Sequence, residues 1–541
     1  MMPFPVVSFP LLYAETHYRF KYFFSYLKQS EPEILADIPH RLEPSSPLPI
    51  LLLIKDSDRF PITLDSVKIE LRQNASIVHT SDHALYTRIT DKIWWKVLAI
   101  PFDNEIREIF GHIDVDVHIR YTIGGVQYSS KNDNHKTSSK KSLRFYRSEQ
   151  ALPTLAGWIQ GDTHTHSSYT DDQVEFGAPI GASVELSKAM GLTYFCVTDH
   201  SYDLDDRVDN FLINDPELPK WKLQQKEIEE INLENEHFAV VRGEEVSCFN
   251  SANRNVHLLL WGTKKFFAGS GDGAEKWFRT KAEHTIRDIL VKKERSVVAY
   301  AGHPTEPAPF FQWLLIKRGT WGLDDMDHDG LAGVQVLNGE INHAFFKGME
   351  YWVTLLLRGK RIFIAAGNDA HGNFNRFKQI GIPFFTIREH DRQLFGKMRT
   401  ALQVPSTTEA AILESLQLGH SVITSGPLVI FSVINESSEK AAIGERIRGA
   451  RLKIHIQGTT TNEFGAFSEL RIIAGTIGTT QETVRIKREF LGSFAIDSTY
   501  NIEILRSKSL SYLRIEACTF QAHINGAFGF CYTNPIWIQH L

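Results

Sequence analysis

Cysteine is scarce. There are four in 541 residues (Cys196, Cys248, Cys518 and Cys531), and no two of them form a CxxC pair. That excludes a disulfide framework and a thiolate zinc site, and it fits a reducing compartment, so the expected location is cytoplasmic. Long apolar runs are missing too. No stretch reaches the ~18 uninterrupted apolar residues of a membrane helix, and residues 48–54 are only strand length. The opening MMPFPVVSFPLLY lacks a basic flank and holds three prolines, so it does not read as a signal peptide. An excess of one charge is also absent: 59 basic residues face 64 acidic ones, for a net charge of -5. This balance argues against a nucleic-acid binder driven by phosphate electrostatics. With 42% apolar and 23% charged residues, the chain falls in the ordinary globular range, outside the disordered and fibrous classes. No internal repeat or low-complexity tract is present.

Histidine is what the chain has in surplus, 22 in all, and neutral imidazole is the commonest metal ligand. At ~150 residues per domain the length suggests roughly three or four domains. Residues 1–150 carry short alternating runs such as LPILLLIKD, ITLDSVKIEL and HIDVDVHIRYTI, which predict an N-terminal β-sandwich of immunoglobulin-like type. Residues 151–425 switch to strand and helix in alternation. TYFCVTDH, NVHLLLWG and RIFIAAGNDAH are strand candidates, while WKLQQKEIEEINLENEH and INHAFFKGMEYWVTLLLRG are helix candidates. AEKWFRTKAEHTIRDILVKK reads as a further helix, and Ser406 to Glu409 as a capping box opening the last one. This texture predicts an α/β barrel or a doubly wound sheet. Residues 426–541 return to strands and predict a C-terminal β-sandwich.

The metal-type residues gather at the ends of the predicted strands. GDTHTHSSYTDD supplies His164 and His166, with Asp171 on the loop after them. Residues i and i+2 of an extended strand share a face, so both imidazoles can reach one ion. VTDH gives Asp199 and His200, RGEEVS gives Glu244 and Glu245, and NVHLLLWG contains His257. AGHP adds His303, and GNDAHG adds Asp369 and His371. One isolated histidine is more commonly a satisfied structural residue. Here six of seven predicted strands, all but GVQVLNG at residues 333–339, carry a competent ligand of this kind, and barrel enzymes assemble their sites at the C-terminal ends of strands. Asp199 is the candidate proton shuttle or orienting carboxylate. Arg207, in YDLDDRVDN, and Arg376, just past NDAHG, are candidate contacts for an anionic substrate.

HTHSSYTD, VTDH, GEEVS, the His257 strand, AGHP and NDAH, in that order, resemble the PHP (polymerase and histidinol phosphatase) superfamily of metallohydrolases over residues 158–375. GHSVITSGP and CYTNPIWI add a looser resemblance to its carbaryl-hydrolase-like branch. The resemblance implies a distorted (β/α)7 barrel between the two sandwiches, holding two or three divalent ions (Zn, Mn or Fe). It further implies that His164, His166 and Asp369 bind one ion, that Glu245 bridges it to a second held by His257 and His303, and that Asp171, His200 and His371 hold a third. Asp172 stands where the family often has glycine, which puts the third site in question.

The expected activity is hydrolysis by a metal-activated water, favouring a phosphoester. Hydrolysis of a carboxyl ester, amide or carbamate is the alternative on the same ligands, and a non-catalytic, metal-retaining binding or assembly protein is the second. The expected partner is a small anionic ester, with no nucleic acid and no membrane. The oligomeric state stays open.

Overall fold

The architecture comes from a computed structural model that describes residues 7–11, 31–103, 106–135, 138–171, 177–271, 280–382, 386–503 and 510–539. Asp172 and the start of the helix expected from residue 274 lie outside the described residues. The chain divides into two compact units, each discontinuous in sequence. The first comprises Met1–Ala151, His166–Gly191 and Ala370–Phe395; the second comprises Leu152–Thr165, Leu192–Asp369 and Gly396–Leu541.

In the first unit, the alternating runs become strands. Ile62–Gln73 pairs on one side with Ser76–Ile89 and on the other with Gly111–Ile123, in a six-stranded sheet that also takes in Leu143–Arg147. Glu33–Asp37, Leu48–Lys55 and Ile93–Ile100 make a second, three-stranded sheet. Alternation turns Val67, Ile69, Leu71, Val115, Val117 and Ile119 to one side, and they share one core with Leu48, Ile50, Leu52 and Ile54.

The second unit is also dominated by strands. The strands Gly243–Phe249, Asn255–Trp261, Val298–Ala301, Gly333–Asn338 and Phe363–Gly367 pair in that order as a five-stranded sheet. Its core includes Leu258, Leu260, Ala299 and Val336 together with Trp352, Leu355 and Leu356 of the helix His343–Leu357. Trp158–Thr165 lies in a separate, eleven-stranded sheet, between Tyr194–Val197 and Arg399–Gln403. The late strands Leu428–Ile434 and Arg451–Thr459 belong to a four-stranded sheet that shares a core with Leu470, Ile472, Leu513 and Ile515.

The expected (β/α)7 barrel is not what forms. Among the described residues, strands account for 45% and helices for 16%, and the fold there is rich in β-sandwich with no TIM-like barrel. The physical reason lies in the connections. Gly243–Phe249 and Asn255–Trp261 are joined by a tight turn and pair antiparallel, because a parallel pair needs a crossover of a dozen or more residues. Asn255–Trp261 and Val298–Ala301 are antiparallel as well, as are Trp158–Thr165 and Arg399–Gln403. A closed ring of parallel strands is therefore broken at three places. Buried apolar runs look alike in parallel and antiparallel sheets, so the texture of residues 151–425 did not separate them.

The helices fall close to their predicted segments: Pro219–Glu234, His343–Leu357 and Glu409–Leu418. In the expected segment 274–293, the described helix is Ile286–Lys292, capped by Thr285 and Asp288. Thr408, not Ser406, caps the last helix, accepting from the Ala411 backbone. It ends at Gly419 with φ 73, a conformation glycine adopts at no steric cost. Among the described residues no helix is long and apolar enough to cross a membrane.

Candidate metal centre

Glu245 is the hub of the second unit. Its strand is buried throughout its first six residues, and alternation sends neighbouring side chains to opposite faces. Glu244 accordingly turns away. Its carboxylate accepts from the Phe267 backbone at 3.1 Å and from Ser201 Oγ at 3.3 Å, and burial drives it well above the usual carboxylate range. Glu245 faces four imidazoles. Oε1 lies 2.6 Å from His257 Nδ1, 3.0 Å from His303 Nε2 and 3.4 Å from His164 Nε2. Oε2 lies 2.9 Å from His200 Nδ1. Asp369 closes the other side of His164 Nε2, at 3.4 Å.

These contacts sort into two donor groups. The donor atoms of His164, Glu245, His303 and Asp369 all lie within 4.8 Å of one another, and so do those of His200, Glu245 and His257. Glu245 is common to both. Its burial would raise the carboxyl pKa, but the imidazoles of His257 and His164 outweigh burial and hold it well below the usual range. For His164, burial disfavours the charged ring, yet Glu245 and Asp369 win and lift it to about 9. His303 moves the other way, because burial exceeds the pull of its carboxylate neighbours. Imidazoles and carboxylates held together under this burial are donors of the kind a divalent cation takes.

Backbone and outer contacts fix these side chains. Gln335 Oε1 lies 2.8 Å from His164 Nδ1 and accepts from the His303 backbone at 3.2 Å. With Nδ1 donating to an amide oxygen, the ring presents Nε2 to the cluster, the usual arrangement behind a metal-bound histidine. Asp162 holds the Asp369 loop. Its carboxylate accepts from the His164, Asn368 and Gly396 backbones and from Asn368 Nδ2 at 2.7 Å. Burial raises its pKa to about 6 against these bonds. His303 and Asp369 have positive φ, 26 and 52, and such strain costs roughly 1–3 kcal/mol each, a cost typical of functional positions. Gly367 must stay bare, because a Cβ there would stand 2.6 Å from His164 Cβ.

Each of the remaining candidates is placed within its own unit. His166 and His371 belong to the first unit, where their rings stack with centroids 3.9 Å apart. Asp171 of that unit pairs with Lys92 at 2.5 Å. Asp199 Oδ2 accepts from Gln224 of the Pro219–Glu234 helix at 2.8 Å. Arg207 is exposed and paired with Asp209 at 2.9 Å. Arg376, in the first unit, bonds Glu389 at 3.0 Å and the Ser142 carbonyl. Within the second unit, His303 groups with His164, Glu245 and Asp369, and His200 groups with Glu245 and His257.

Gln335 and Arg318, like Asp162, escaped the sequence reading. Gln335 is a polar side chain in the wholly buried strand GVQVLN, and that mismatch was a usable signal. Arg318 has no such signature. Its guanidinium lies against His257, with Nη1 bonded to Nε2 and Nη2 3.1 Å from Nδ1.

No family model matches the chain, and no curated protein matches it. Similar solved structures include trypsin-activated alpha-2-macroglobulin from Escherichia coli (6% identity, TM-score 0.14, 94% of this chain and 24% of that one). A Paenibacillus sp. cycloisomaltooligosaccharide glucanotransferase with cycloisomaltoheptaose is another (9% identity, TM-score 0.19, 93% and 72%). Salmonella alpha-2-macroglobulin reacted with methylamine is a third (9%, 0.14, 98% and 24%). This chain thus spans about a quarter of these two macroglobulins. Likenesses this slight carry no argument about fold or function.

Proposed function

We propose that this protein is a hydrolase of the PHP type that works with two divalent ions and acts on a phosphoester. The observation that carries the reading is the single buried carboxylate of Glu245, shared by two groups of imidazole and carboxylate donors. The residues fit the ions: His164, His303 and Asp369 would hold one, His200 and His257 the other, and Glu245 both. When bound, such a pair supplies Lewis acidity and makes hydroxide available at neutral pH.

The chain's own residues do the rest. Gln335 keeps His164 in the tautomer that leaves Nε2 for coordination. Asp162 fixes the loop that carries Asp369. Burial of His164, Glu245 and His257 keeps bulk water off the donors, which strengthens every charge interaction within the site. Arg318 places a permanent positive charge beside His257, which favours a substrate oxygen of negative charge over a neutral carbonyl.

The test is paired. Elemental analysis of protein loaded with Zn or Mn should find two equivalents, and the loaded protein should hydrolyse p-nitrophenyl phosphate or its bis ester in preference to p-nitrophenyl acetate. Preference for the acetate would move the reading to carboxyl esters. Two retained ions with no turnover of any of these would favour a binding role.

A further inference from the structure

The segment between His303 and Trp321 is an arch pinned at both feet to the site. Trp321 N donates to the Pro304 carbonyl at 2.8 Å, and its indole Nε1 donates to the His257 carbonyl at 3.1 Å. Asn255, at the start of the His257 strand, takes its backbone partners from Lys317 and Gly319, and its side-chain amide donates to the Ile316 carbonyl at 2.7 Å. This pinning delivers Arg318 to His257. The arch also carries the short helix Phe310–Leu315. Phe310, Trp313 and Leu314 lie at i, i+3 and i+4, the spacing that normally turns a stripe into a core. Here they are 56%, 44% and 54% exposed, and Leu315 is 52% exposed. Phe310 and Trp313 stack with centroids 6.3 Å apart, and the Arg254 guanidinium sits 4.4 Å from the Trp313 ring. Isolated exposed apolar residues are ordinary, but four within six positions form a patch.

We infer that this arch recognises an amphiphilic substrate, a phosphoester with an apolar alkyl or aryl arm. Arg318 takes the anionic oxygen and the Phe310–Leu315 face takes the arm. The assignment rests on the two-ion phosphoesterase reading and adds the class of ester to it. Its basis is continuity: one pinned segment, sixteen residues long from His303 to Arg318, joins the apolar face to the charge beside the donor cluster. Charge selects the headgroup, and the exposed stripe supplies the apolar contact that a compact, fully polar phosphoester would leave unused.

Isothermal titration of Zn-loaded protein with n-octyl phosphate, inorganic phosphate and n-octyl glucoside tests it, with ion content measured on the same samples. Octyl phosphate should bind at least tenfold more tightly than phosphate, and octyl glucoside should bind far more weakly. Trp313→Ala, and separately Leu314→Ser with Leu315→Ser, should erase the advantage of the octyl chain while leaving phosphate binding unchanged. Arg318→Met should weaken both phosphates at least tenfold with ion content unchanged. Equal affinities for the two phosphates on ion-loaded protein would overturn the assignment alone. So would uptake by phosphatidylcholine vesicles that depends on the Phe310–Leu315 face, since it would give that face to a membrane. A protein that retains no ions would strike the metal reading itself and this assignment with it.

Discussion

Among the described residues, carboxylates gather with histidine around Glu245 and around Glu70, and the two clusters behave differently. In the first unit, donor atoms of Glu70, Asp116 and His118 lie within the same 4.8 Å as those of the Glu245 cluster. There the carboxylates already have cationic partners: Lys68 at 2.9 Å and Arg72 at 2.5 Å on Glu70, and Lys131 at 2.9 Å on Asp116. In the second unit the partners of Glu245 are imidazoles, which can give up a proton and become ligands. Lysine and arginine hold their charge and occupy the carboxylate lone pairs, so the first cluster is an ion-pair network on a sheet. Proximity alone does not make a metal centre. The identity of the counter-groups does.

The comparison breaks most sharply at the shared carboxylate. Glu245→Gln should lower affinity for both ions by at least about 100-fold and abolish turnover, whereas Asp116→Asn should leave ion content unchanged and lower the melting temperature, since it takes the buried Asp116 carboxylate from Lys131 and Arg72. Titration calorimetry on ion-stripped protein would read the first, and elemental analysis with thermal denaturation the second. Retention of both ions by Glu245→Gln would remove the contrast.

The outer contacts sharpen the same contrast at smaller scale. Gln335→Leu removes the acceptor behind His164 and should weaken ion binding by about 10–100-fold, with secondary structure kept. Circular dichroism and metal titration together would show whether the amide positions the ring or merely packs.

Proton competition should follow a definite sign. Without an ion, His164 holds its proton up to a pKa of about 9. Binding must displace that proton, so affinity should rise with pH, by about tenfold per unit below 9 for each proton released. A flat affinity between pH 6 and 8, measured in parallel with proton release, would contradict that.

The strands of the donor cluster were readable because chemistry-bearing residues interrupt apolar runs: His257 within NVHLLLW and Glu245 within GEEVSCF stand out against their neighbours. Their grouping was not readable, since which imidazole meets which carboxylate oxygen depends on sheet order and on the turn between residues 249 and 255. Pairing direction was hidden for the same reason, and the barrel expectation failed there. Arg318 stayed invisible because an arginine on an irregular segment looks like a solvated surface residue until the arch brings it to His257. Arg207 shows the reverse: it was chosen from an acidic loop and is paired with that loop's own Asp209.

The central claim is that Glu245 sits between two ions. The most direct measurement is anomalous diffraction at the zinc edge from crystals of Zn-loaded protein. The account predicts two peaks flanking the Glu245 carboxylate, one bounded by His164, His303 and Asp369, the other by His200 and His257. No peak at Glu245, or density only beside Glu70 and Asp116, would contradict it.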